Sequence, residues 1–338
     1  MTATLHDVAR LASVSIKTVS NVINDRPNIR ATTRERVEKA IAELGYTPNL
    51  TARNLRSGRT GAIALAVPDL ALSYFAELAA IVIAEAERRG VVVLVEQTGG
   101  DREREIDLLR SPRLKLTDGL IFSPLGMGQD DVGRLSVSYP MVLLGERIFD
   151  GPTDHVTMQN VEAARDATAY LLANGRRRIA LVGAHDGEII GSAGLRMRGY
   201  REALSAAGIP YDDDIVGYTT MWHRANGADS MRELLRRGVE FDAVLGLNDT
   251  LALGAMRALQ ESGRRVPDDV WVVGFDDLDE AQYSIPSLTT IDPGQEWIAR
   301  TAVETLLSRI AGEAAEVAPR LLLADYRLVE RESAPAAR

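Results

Sequence analysis

The first apolar positions of the chain recur at helical spacing in two short stretches. Val8 and Ala12 belong to the first stretch, and Val19 and Ile23 belong to the second. Residues 13–15 separate them, so the pattern predicts two short helices joined by a three-residue turn. Such a pair is typical of a helix-turn-helix, whose second helix enters the major groove of DNA by its N-terminal end. A small helical bundle without any ligand fits the same pattern.

Polar residues mark where these two helices begin. Thr4 and Asp7 have the spacing of a capping box for the first helix, and Ser15 is a suitable N-cap for the second. A third helix is predicted over residues 32–44, and Gly45 ends it. The second helix presents four side chains at its N-terminal end: Ile16, Lys17, Ser20 and Asn21.

From residue 62 the pattern changes to alternating apolar strands and amphipathic helices. Strands are predicted at 62–67, 91–95, 119–122, 141–144, 178–182, 243–247 and 270–275, and helices at 74–89, 103–110, 161–173, 195–207, 227–236 and 250–262. This repeated order predicts an α/β fold, in which two doubly wound lobes with parallel sheets follow an all-α head. Ligands of such sheets bind beyond the carboxyl ends of the strands, which here places them between the lobes.

Composition distinguishes the head from the rest of the chain. The 338 residues are 46% hydrophobic and 26% charged, as in ordinary globular proteins of about two domains. Ten basic and five acidic side chains give residues 1–60 a charge of +5, whereas the whole chain carries −9, which leaves −14 for the remainder. A basic head on an acidic body suits a protein whose head alone contacts phosphate groups.

The sequence also lacks the residue patterns of several other chemistries. It has no cysteine, and its four histidines, His6, His155, His185 and His223, show no metal-ligand spacing. No nucleophile motif or phosphate-binding loop is present, so we expect no enzyme, no catalytic residue, no metal and no cofactor. No signal peptide and no membrane-spanning apolar run is visible, so we expect a cytoplasmic protein with no membrane partner.

The head resembles the DNA-binding head of the lactose/galactose-repressor family of bacterial transcription regulators. The matching motifs are Asp7-Val8-Ala9, Val14-Ser15, Thr18-Val19-Ser20, Asn24, Leu44-Gly45-Tyr46, Pro48-Asn49, Ala52-Arg53 and Leu55. Two positions depart from the family pattern. Ser13 stands where the turn usually has glycine, and Asn21 stands where the base-reading helix usually has arginine. Because arginine favours guanine and asparagine favours adenine, the base preference at that position is open.

The resemblance implies a helix-turn-helix head at 1–47, a hinge helix and linker at 48–60, and a two-lobed core at 61–338. In the family the hinge orders on operator DNA, pairs with its dimer mate and inserts a leucine into the minor groove, which here is Leu55. A solvated linker is the alternative. The DNA contacts that the resemblance implies are Thr4, Ser15, Ile16, Lys17, Thr18, Ser20, Asn21, Asn24, Asn49, Ala52, Arg53 and Leu55.

The core resembles the effector-binding core of the same family, a fold shared with periplasmic sugar-binding proteins. The matching motifs are Pro68-Asp69, Asn248-Asp249, Val273-Gly274-Phe275-Asp276-Asp277 and Pro286-Ser287-Leu288-Thr289-Thr290-Ile291. The resemblance implies an N-lobe of about 61–158 and 291–322 and a C-lobe of about 159–290 and 323–333. The chain is expected to cross between the lobes near 158–160, 289–291 and 321–323.

Ligand-binding residues follow from the same resemblance. Asp276 and Arg196 match the effector-binding aspartate and arginine of the family, and Trp222 matches its stacking aromatic residue, whereas Asp277 is left as a turn residue. A capping aspartate, a surface arginine and a core tryptophan are the structural alternatives. Glu146 either replaces a cleft aspartate of some members or points away. The complete predicted set is Tyr74, Phe75, Glu146, Arg196, Trp222, Asn248 and Asp276.

The resemblance implies a repressor of carbohydrate-utilisation genes that a sugar-type effector releases from its operator. A C2 homodimer on a pseudo-palindromic operator is expected, because each head reads one half-site and hinge pairing requires two chains. The tail after residue 328 has no leucine heptad with which to build a tetramer. The Tyr74-Phe75 pair resembles the purine-sensing branch, which keeps open a regulator that needs a nucleobase or another small metabolite as corepressor. A solute-binding protein of transport is the remaining alternative.

Overall fold

The structure is a computed structural model of the 338-residue chain, and it describes residues 3–23, 27, 29–46, 59–313 and 316–336. The chain divides into two units, Met1–Gly61 and Ala62–Arg338. We call the first unit the head and the second unit the body.

The described residues of the head contain three helices: α1 (Leu5–Leu11), α2 (Ile16–Ile23) and α3 (Ala31–Leu44). The predicted capping box at the start of α1 is confirmed, since the Asp7 amide donates to Thr4 Oγ1 at 3.3 Å and the Thr4 amide donates to Asp7 Oδ2 at 3.0 Å. Gly45 ends α3 in the left-handed region, as predicted. The helices share one buried core, which consists of Val8, Ala9, Ala12, Val19, Val22, Val37, Ala40 and Tyr46.

The body alternates strands and helices. Its strands are β1 (Ala62–Val67), β2 (Val92–Gln97), β3 (Leu120–Phe122), β4 (Met141–Leu144), β5 (Asp154–Met158), β6 (Ile179–Ala184), β7 (Val216–Tyr218), β8 (Ala243–Gly246), β9 (Trp271–Phe275), β10 (Thr289–Asp292), β11 (Leu321–Ala324) and β12 (Arg327–Val329). Its α-helices are α4 (Ser73–Glu87), α5 (Arg102–Leu109), α6 (Asn160–Ala173), α7 (Ser192–Ala206), α8 (Arg224–Arg236), α9 (Asp249–Glu261), α10 (Asp279–Tyr283) and α11 (Gln295–Ala311). Short 3₁₀ helices lie at Pro112–Leu116, Gln129–Leu135 and Asp213–Ile215.

The strands form two six-stranded sheets, one in each lobe of the body. The first sheet has the order β11-β5-β4-β3-β1-β2, and all of its neighbours are parallel. The second has the order β12-β10-β9-β8-β6-β7, and only β12 is antiparallel to its neighbour. The central strands of both sheets are buried, as expected for parallel strands covered on both faces. The predicted α/β fold with two doubly wound lobes is confirmed.

The chain passes between the lobes three times. The first crossing joins β5 to α6 at Gln159, where the sequence placed it. The second follows β10, which ends at Asp292, and the third follows β11, which ends at Ala324. These two crossings lie a few residues later than expected, because each strand completes its pairing in one sheet before the chain leaves that lobe.

Helices α8 and α9 of the second lobe approach each other closely through glycine. A β-carbon on Gly254 of α9 would overlap the carbonyl oxygen of Arg224, and one on Gly227 of α8 would overlap that of Leu251. This contact fixes the start of α9 at the carboxyl end of β8.

The tail after β12 packs back onto the second lobe. Ser333 is fully buried, its Oγ donates to the Val272 carbonyl oxygen at 2.6 Å, and it accepts from the Thr289 amide at 2.8 Å. The residues following β12 are therefore part of the lobe.

Candidate functional site

The N-terminal end of α2 carries side chains that the sequence predicts to contact DNA. Ser15 caps this helix, because its Oγ accepts a hydrogen bond from the Thr18 amide at 3.1 Å. Lys17 is exposed in the first turn, and Thr4 is exposed at the start of α1. Four further predicted contacts are half-buried: Ile16, Thr18, Ser20 and Asn21.

The turn between α1 and α2 contains a residue in an uncommon conformation. Ser13 has φ 50°, in the left-handed region that usually favours glycine. The turn of this head therefore keeps the geometry expected of a glycine, although it carries a β-carbon.

Some predicted DNA contacts lie outside the described residues. They are Asn24, Asn49, Ala52, Arg53 and Leu55. The same applies to residues 48–58 of the hinge helix and linker predicted at 48–60, so the existence of the hinge helix and its contacts stay predictions.

The body contains a cavity of about 140 Å³ between the carboxyl ends of its two sheets. The loops that follow β1, β3 and β4 contribute residues from the first lobe, and those that follow β6, β8 and β9 contribute residues from the second. All seven residues predicted for effector binding line this cavity: Tyr74, Phe75, Glu146, Arg196, Trp222, Asn248 and Asp276.

Arg196 is the cationic centre of the cavity wall in the second lobe. It lies in α7 and is only 2% exposed. Its Nε donates to Asn160 Oδ1 at 2.7 Å, its Nη1 donates to the Leu247 carbonyl oxygen, and its Nη2 donates to Asp276 Oδ1 at 3.4 Å. The guanidinium is therefore held in one orientation by three elements of the same lobe.

Two aromatic rings lie close to this guanidinium. The Cζ atom of Arg196 lies 3.6 Å from the centre of the Phe275 ring and 5.4 Å from that of Trp222. The indole of Trp222 is fixed by a hydrogen bond from its Nε1 to the Gly183 carbonyl oxygen at 2.8 Å. Trp222 is partly buried and lines the cavity, so its ring is available as a stacking surface for a ligand.

Asp276 is the buried carboxyl group of the cavity. It follows β9 with φ 116° and is 5% exposed. Burial raises the pKa of the Asp276 carboxyl to about 7, although the Arg196 guanidinium lowers it, and the Glu146 carboxylate raises it further. A positive φ at a residue with a β-carbon strains the backbone, and such strain is typical of residues that are positioned for binding.

The two aspartates that follow Asp276 and Asn248 in sequence have structural roles. Asp277 pairs with Arg331 at 2.6 Å and does not line the cavity. Asp249 is fully buried and accepts hydrogen bonds from Thr290 Oγ1 at 2.5 Å and from the Leu278 amide at 2.9 Å. Burial, together with the charge of Asp276, raises the pKa of Asp249 well above its usual value.

Glu146 reaches into the cavity from the first lobe. It is 6% exposed, and its carboxylate accepts from Thr157 Oγ1 at 2.9 Å and from Ser192 Oγ at 2.6 Å. Since Ser192 belongs to the second lobe, this carboxylate contacts both walls of the cavity.

The remaining predicted positions differ in how free their side chains are. Tyr74 and Phe75 meet edge to face with ring centres 5.2 Å apart. Asn248 caps α9, because its Oδ1 accepts from the Leu251 amide at 2.8 Å and its Nδ2 donates to Thr250 Oγ1 at 2.8 Å. The aromatic pair presents ring surface to the cavity, whereas Asn248 already uses most of its hydrogen-bonding capacity within the protein.

Sequence reasoning missed several polar residues of the cavity. They are Ser123, Arg147, Thr157, His185, Glu188 and Ser192. Ser123 and His185 directly follow β3 and β6, and Arg147 and Glu188 lie in the loops after β4 and β6, so a position after a strand was the signal available. Among the described residues, no group of histidine and carboxylate side chains is arranged to hold a metal ion. In the same part of the chain, every helix is too short or too polar to span a bilayer.

A helix-turn-helix head together with a two-lobed body of this topology defines the class of DNA-binding transcription regulators with a periplasmic-binding-protein-like domain. The profile described as bacterial regulatory proteins, lacI family, matches residues 4–49. The profile described as a periplasmic binding protein-like domain matches residues 168–334.

Relatives match over almost the whole length. The HTH-type transcriptional regulator CelR of Thermobifida fusca is 38% identical over 98% of both chains. The HTH-type transcriptional repressor PurR of Vibrio campbellii is 33% identical over 91% of this chain and 92% of its own. The chain therefore belongs to the lacI family of bacterial transcription regulators.

Solved structures agree with this assignment. A LacI-family structure from Sanguibacter keddieii is 53% identical and covers 82% of this chain and 99% of its own, with a TM-score of 0.76. A complex of the regulator CelR with cellobiose is 33% identical over 98% and 99% of the two chains, with a TM-score of 0.72. A lac repressor dimer bound to operator and the anti-inducer ONPF is 31% identical over 99% and 100%, with a TM-score of 0.81.

Proposed function

We propose that this regulator represses carbohydrate-utilisation genes in the cytoplasm and leaves its operator when an uncharged sugar binds in the body cavity. The observation that carries the proposal is the pair of Arg196 and Asp276, buried beside the ring of Trp222 on the cavity wall. A carboxylate accepts hydrogen bonds from sugar hydroxyls, and an indole face packs against the C–H groups of a sugar ring.

The charges around the cavity favour a neutral ligand over an anionic one. Arg196 is paired with Asp276 at 3.4 Å, and Arg147 is paired with Glu188 at 3.0 Å. Glu146 adds a further carboxyl group, whose hydrogen bonds come from neutral hydroxyls. Both cations of the wall thus already have a carboxyl group as partner, so a phosphate or carboxylate would gain little there. The cellobiose complex of the relative CelR also supports a neutral sugar.

For DNA binding we propose the domain boundaries inferred from the sequence: a helix-turn-helix domain at 1–47, a hinge helix and linker at 48–60 and an effector-binding core at 61–338. Lys17 and Ile16 contact base edges, with Asn21 beside them, and Leu55 enters the minor groove between the paired hinges of a C2 homodimer. The dimer is supported by the lac repressor dimer on its operator and by the tail of this chain, which is packed into the second lobe. Sedimentation as a tetramer held together by its C-terminus would contradict it.

The proposed switch joins the cavity to the hinge. A sugar that bonds groups of both lobes binds more tightly when the lobes are closed, so it shifts the body toward closure. Closure displaces the first lobes of the dimer, separates the hinges and weakens operator binding. By linkage, operator DNA then lowers sugar affinity by the same factor, typically about 5–150-fold.

The decisive experiment measures operator affinity of the wild type and of Asp276→Ala with a panel of sugars and purines. We expect one neutral sugar to weaken operator binding of the wild type and to have little effect on the variant. Equal shifts in both proteins would mean that the site is wrong. If no compound shifts the wild type, the chain is a regulator that works without these ligands.

Leu55→Ala tests the minor-groove contact in the same assay. Operator binding should weaken while non-specific binding stays nearly intact. The reason is that insertion of Leu55 costs unstacking energy, which is offset only by the additional contacts that form on a bent operator. Equal losses of affinity on operator and random DNA would refute the insertion of Leu55 into the minor groove.

A second candidate function has one specific observation in its favour. The edge-to-face pair of Tyr74 and Phe75 on the cavity wall could hold a flat nucleobase, and the relative PurR shares 33% identity with the chain. In that case a purine acts as corepressor, and the sign reverses, so that the ligand tightens operator binding. The purine arm of the panel distinguishes the two functions.

A further inference from the structure

Three charged or titratable side chains that the sequence did not predict meet across the cavity. Arg147 follows β4 in the first lobe, whereas His185 and Glu188 lie between β6 and α7 in the second. Arg147 Nη1 contacts Glu188 Oε2 at 3.0 Å, and His185 Nδ1 contacts the same oxygen at 2.9 Å. One carboxylate oxygen therefore connects the two lobes. We call Arg147, His185 and Glu188 the clasp.

The loop of the second lobe is shaped to receive the guanidinium. Gly191 has φ 120°, and a β-carbon there would lie 2.8 Å from Arg147 Nη1 and would also overlap the Glu188 carboxylate. Arg147 Nη1 donates in addition to the Ile190 carbonyl oxygen at 3.3 Å, and the Gly194 amide donates to Glu188 Oε1 at 3.4 Å. Only glycine at position 191 leaves room for this contact.

The carboxylate of the clasp is charged at neutral pH. Burial raises the pKa of Glu188, but the hydrogen bond from His185 and the Arg147 guanidinium outweigh burial and hold the pKa below its usual value. Because Glu188 neutralises Arg147, the clasp is not a receptor for anions.

Two buried polar atoms of the clasp are left without a hydrogen bond. Among the described residues, nothing pairs with Arg147 Nε or with His185 Nε2. Both side chains line the cavity. When Nδ1 donates to Glu188, the neutral imidazole keeps Nε2 as an acceptor, whereas Arg147 Nε–H is a donor. A hydroxyl group can both accept from the donor and donate to the acceptor, so a polyhydroxylated ligand satisfies both atoms.

We propose that the clasp is a second recognition element for the effector, in which Arg147 Nε–H donates to a sugar hydroxyl and His185 Nε2 accepts from one. The inference rests on the proposed function and extends it to residues on both lobes. Arg147 reaches the loop of the second lobe only while the lobes are together, so a ligand that engages the clasp favours closure.

The experiment uses the full-length protein in two arms. The first arm measures amide hydrogen exchange of residues 185–194 without sugar. Arg147→Met removes the ion pair and should speed this exchange, whereas Arg147→Lys keeps a cation opposite Glu188 and should restore slow exchange. Arg113→Met is the matched control, because Arg113 pairs with Glu96 on the exposed surface of the same lobe, away from the cavity.

The second arm measures binding of cellobiose, glucose, ribose, adenine and hypoxanthine by titration calorimetry. For a sugar that binds the wild type, Arg147→Lys and His185→Ala should each lower affinity about 10- to 100-fold, as expected for the loss of a hydrogen bond that involves a charged or buried group. Arg113→Met should bind like the wild type.

The outcomes separate the clasp from the proposed function. Unchanged exchange in Arg147→Met would overturn the cross-lobe contact. Affinities of Arg147→Lys and His185→Ala within twofold of the wild type would overturn hydroxyl recognition by the clasp while leaving a sugar effector intact. If no sugar binds the wild type, the sugar effector and its recognition by the clasp both fail, and the exchange arm still decides whether the clasp forms.

Discussion

The buried carboxyl group of Asp276 should make the stability of the body depend on pH in a direction opposite to that of ordinary ion-paired aspartates. Burial raises the pKa of Asp276 from 3.8 to about 7, against the opposing charge of Arg196. Asp276→Asn keeps the size of the side chain and removes its titration. The prediction therefore concerns the difference in free energy of unfolding between the wild type and this variant.

The sign follows from proton linkage. The folded protein holds the proton of Asp276 up to about pH 7, whereas the unfolded chain releases it near 3.8. Between these values the folded state binds more protons, so the contribution of Asp276 is fully present below pH 3.8 and is lost as pH rises through about 7. Each pH unit in this window corresponds to about 1.4 kcal/mol, so the loss between pH 5 and pH 8 amounts to about 3 kcal/mol.

Urea denaturation followed by tryptophan fluorescence at pH 5, 6, 7 and 8 tests the prediction. The wild type should lose about 3 kcal/mol relative to Asp276→Asn across this range. Asp249 is present in both proteins, but the charge of Asp276 contributes to raising its pKa, so the difference reports the titration of Asp276 together with its coupling to Asp249. Asp277→Asn is the matched control, because it removes a carboxylate of the same turn that does not line the cavity. Parallel pH profiles of the wild type and Asp276→Asn would refute the reasoning.

Three further substitutions test the packing of each unit by unfolding or exchange measurements. Gly254→Ala should lower the free energy of unfolding in urea by about 1–3 kcal/mol, because the added β-carbon overlaps the backbone of the neighbouring helix. Gly133→Ala is its control: a β-carbon there meets nothing within 4 Å, so the free energy of unfolding should change by less than about 0.5 kcal/mol. Asp154→Ala should cost about 3–5 kcal/mol in the same assay, since it leaves the largely buried guanidinium of Arg309 without the carboxylate that it contacts at 2.6 Å. Ser13→Gly should slow amide exchange in the head about 2- to 5-fold, because relief of left-handed strain exceeds the added entropy of glycine, and unchanged or faster exchange would contradict this.

The sequence predicted the regular elements of the fold where their own pattern is strong. The buried strand β1 and the helix α4 lie within two residues of the predicted bounds 62–67 and 74–89. The helix α11 was not predicted, although Ile298, Ala302 and Leu306 recur at its buried positions, so that signal was present in the sequence. The short strands β7, β11 and β12 could not be predicted, because their three or four residues are stabilised by partners far away in the chain.

In the cavity, too, residues that belong to local sequence motifs were predicted, whereas contacts between residues far apart in the sequence were not. Resemblance to a family assigned Arg196 and Asp276, which match motifs of their own segments, and both line the cavity. The pairing of Arg147 with Glu188 joins residues on different lobes that are 41 positions apart, so no local pattern marks it. Contacts of this kind depend on how the lobes meet, which is a property of the folded chain.

The arrangement of polar groups explains how binding and closure are divided between the lobes. The pair of Arg196 and Asp276 lies entirely within the second lobe, where Asn160 and Leu247 also hold the guanidinium. The first lobe contributes Glu146 and Arg147, whose hydrogen bonds reach side chains of the second lobe. In the proposed switch, a ligand is therefore held by the second lobe before closure, and the first lobe adds its contacts only when the lobes meet. Since the body begins with β1 of the first lobe, at Ala62, the first lobe is the part of the body through which the proposed switch reaches the proposed hinge.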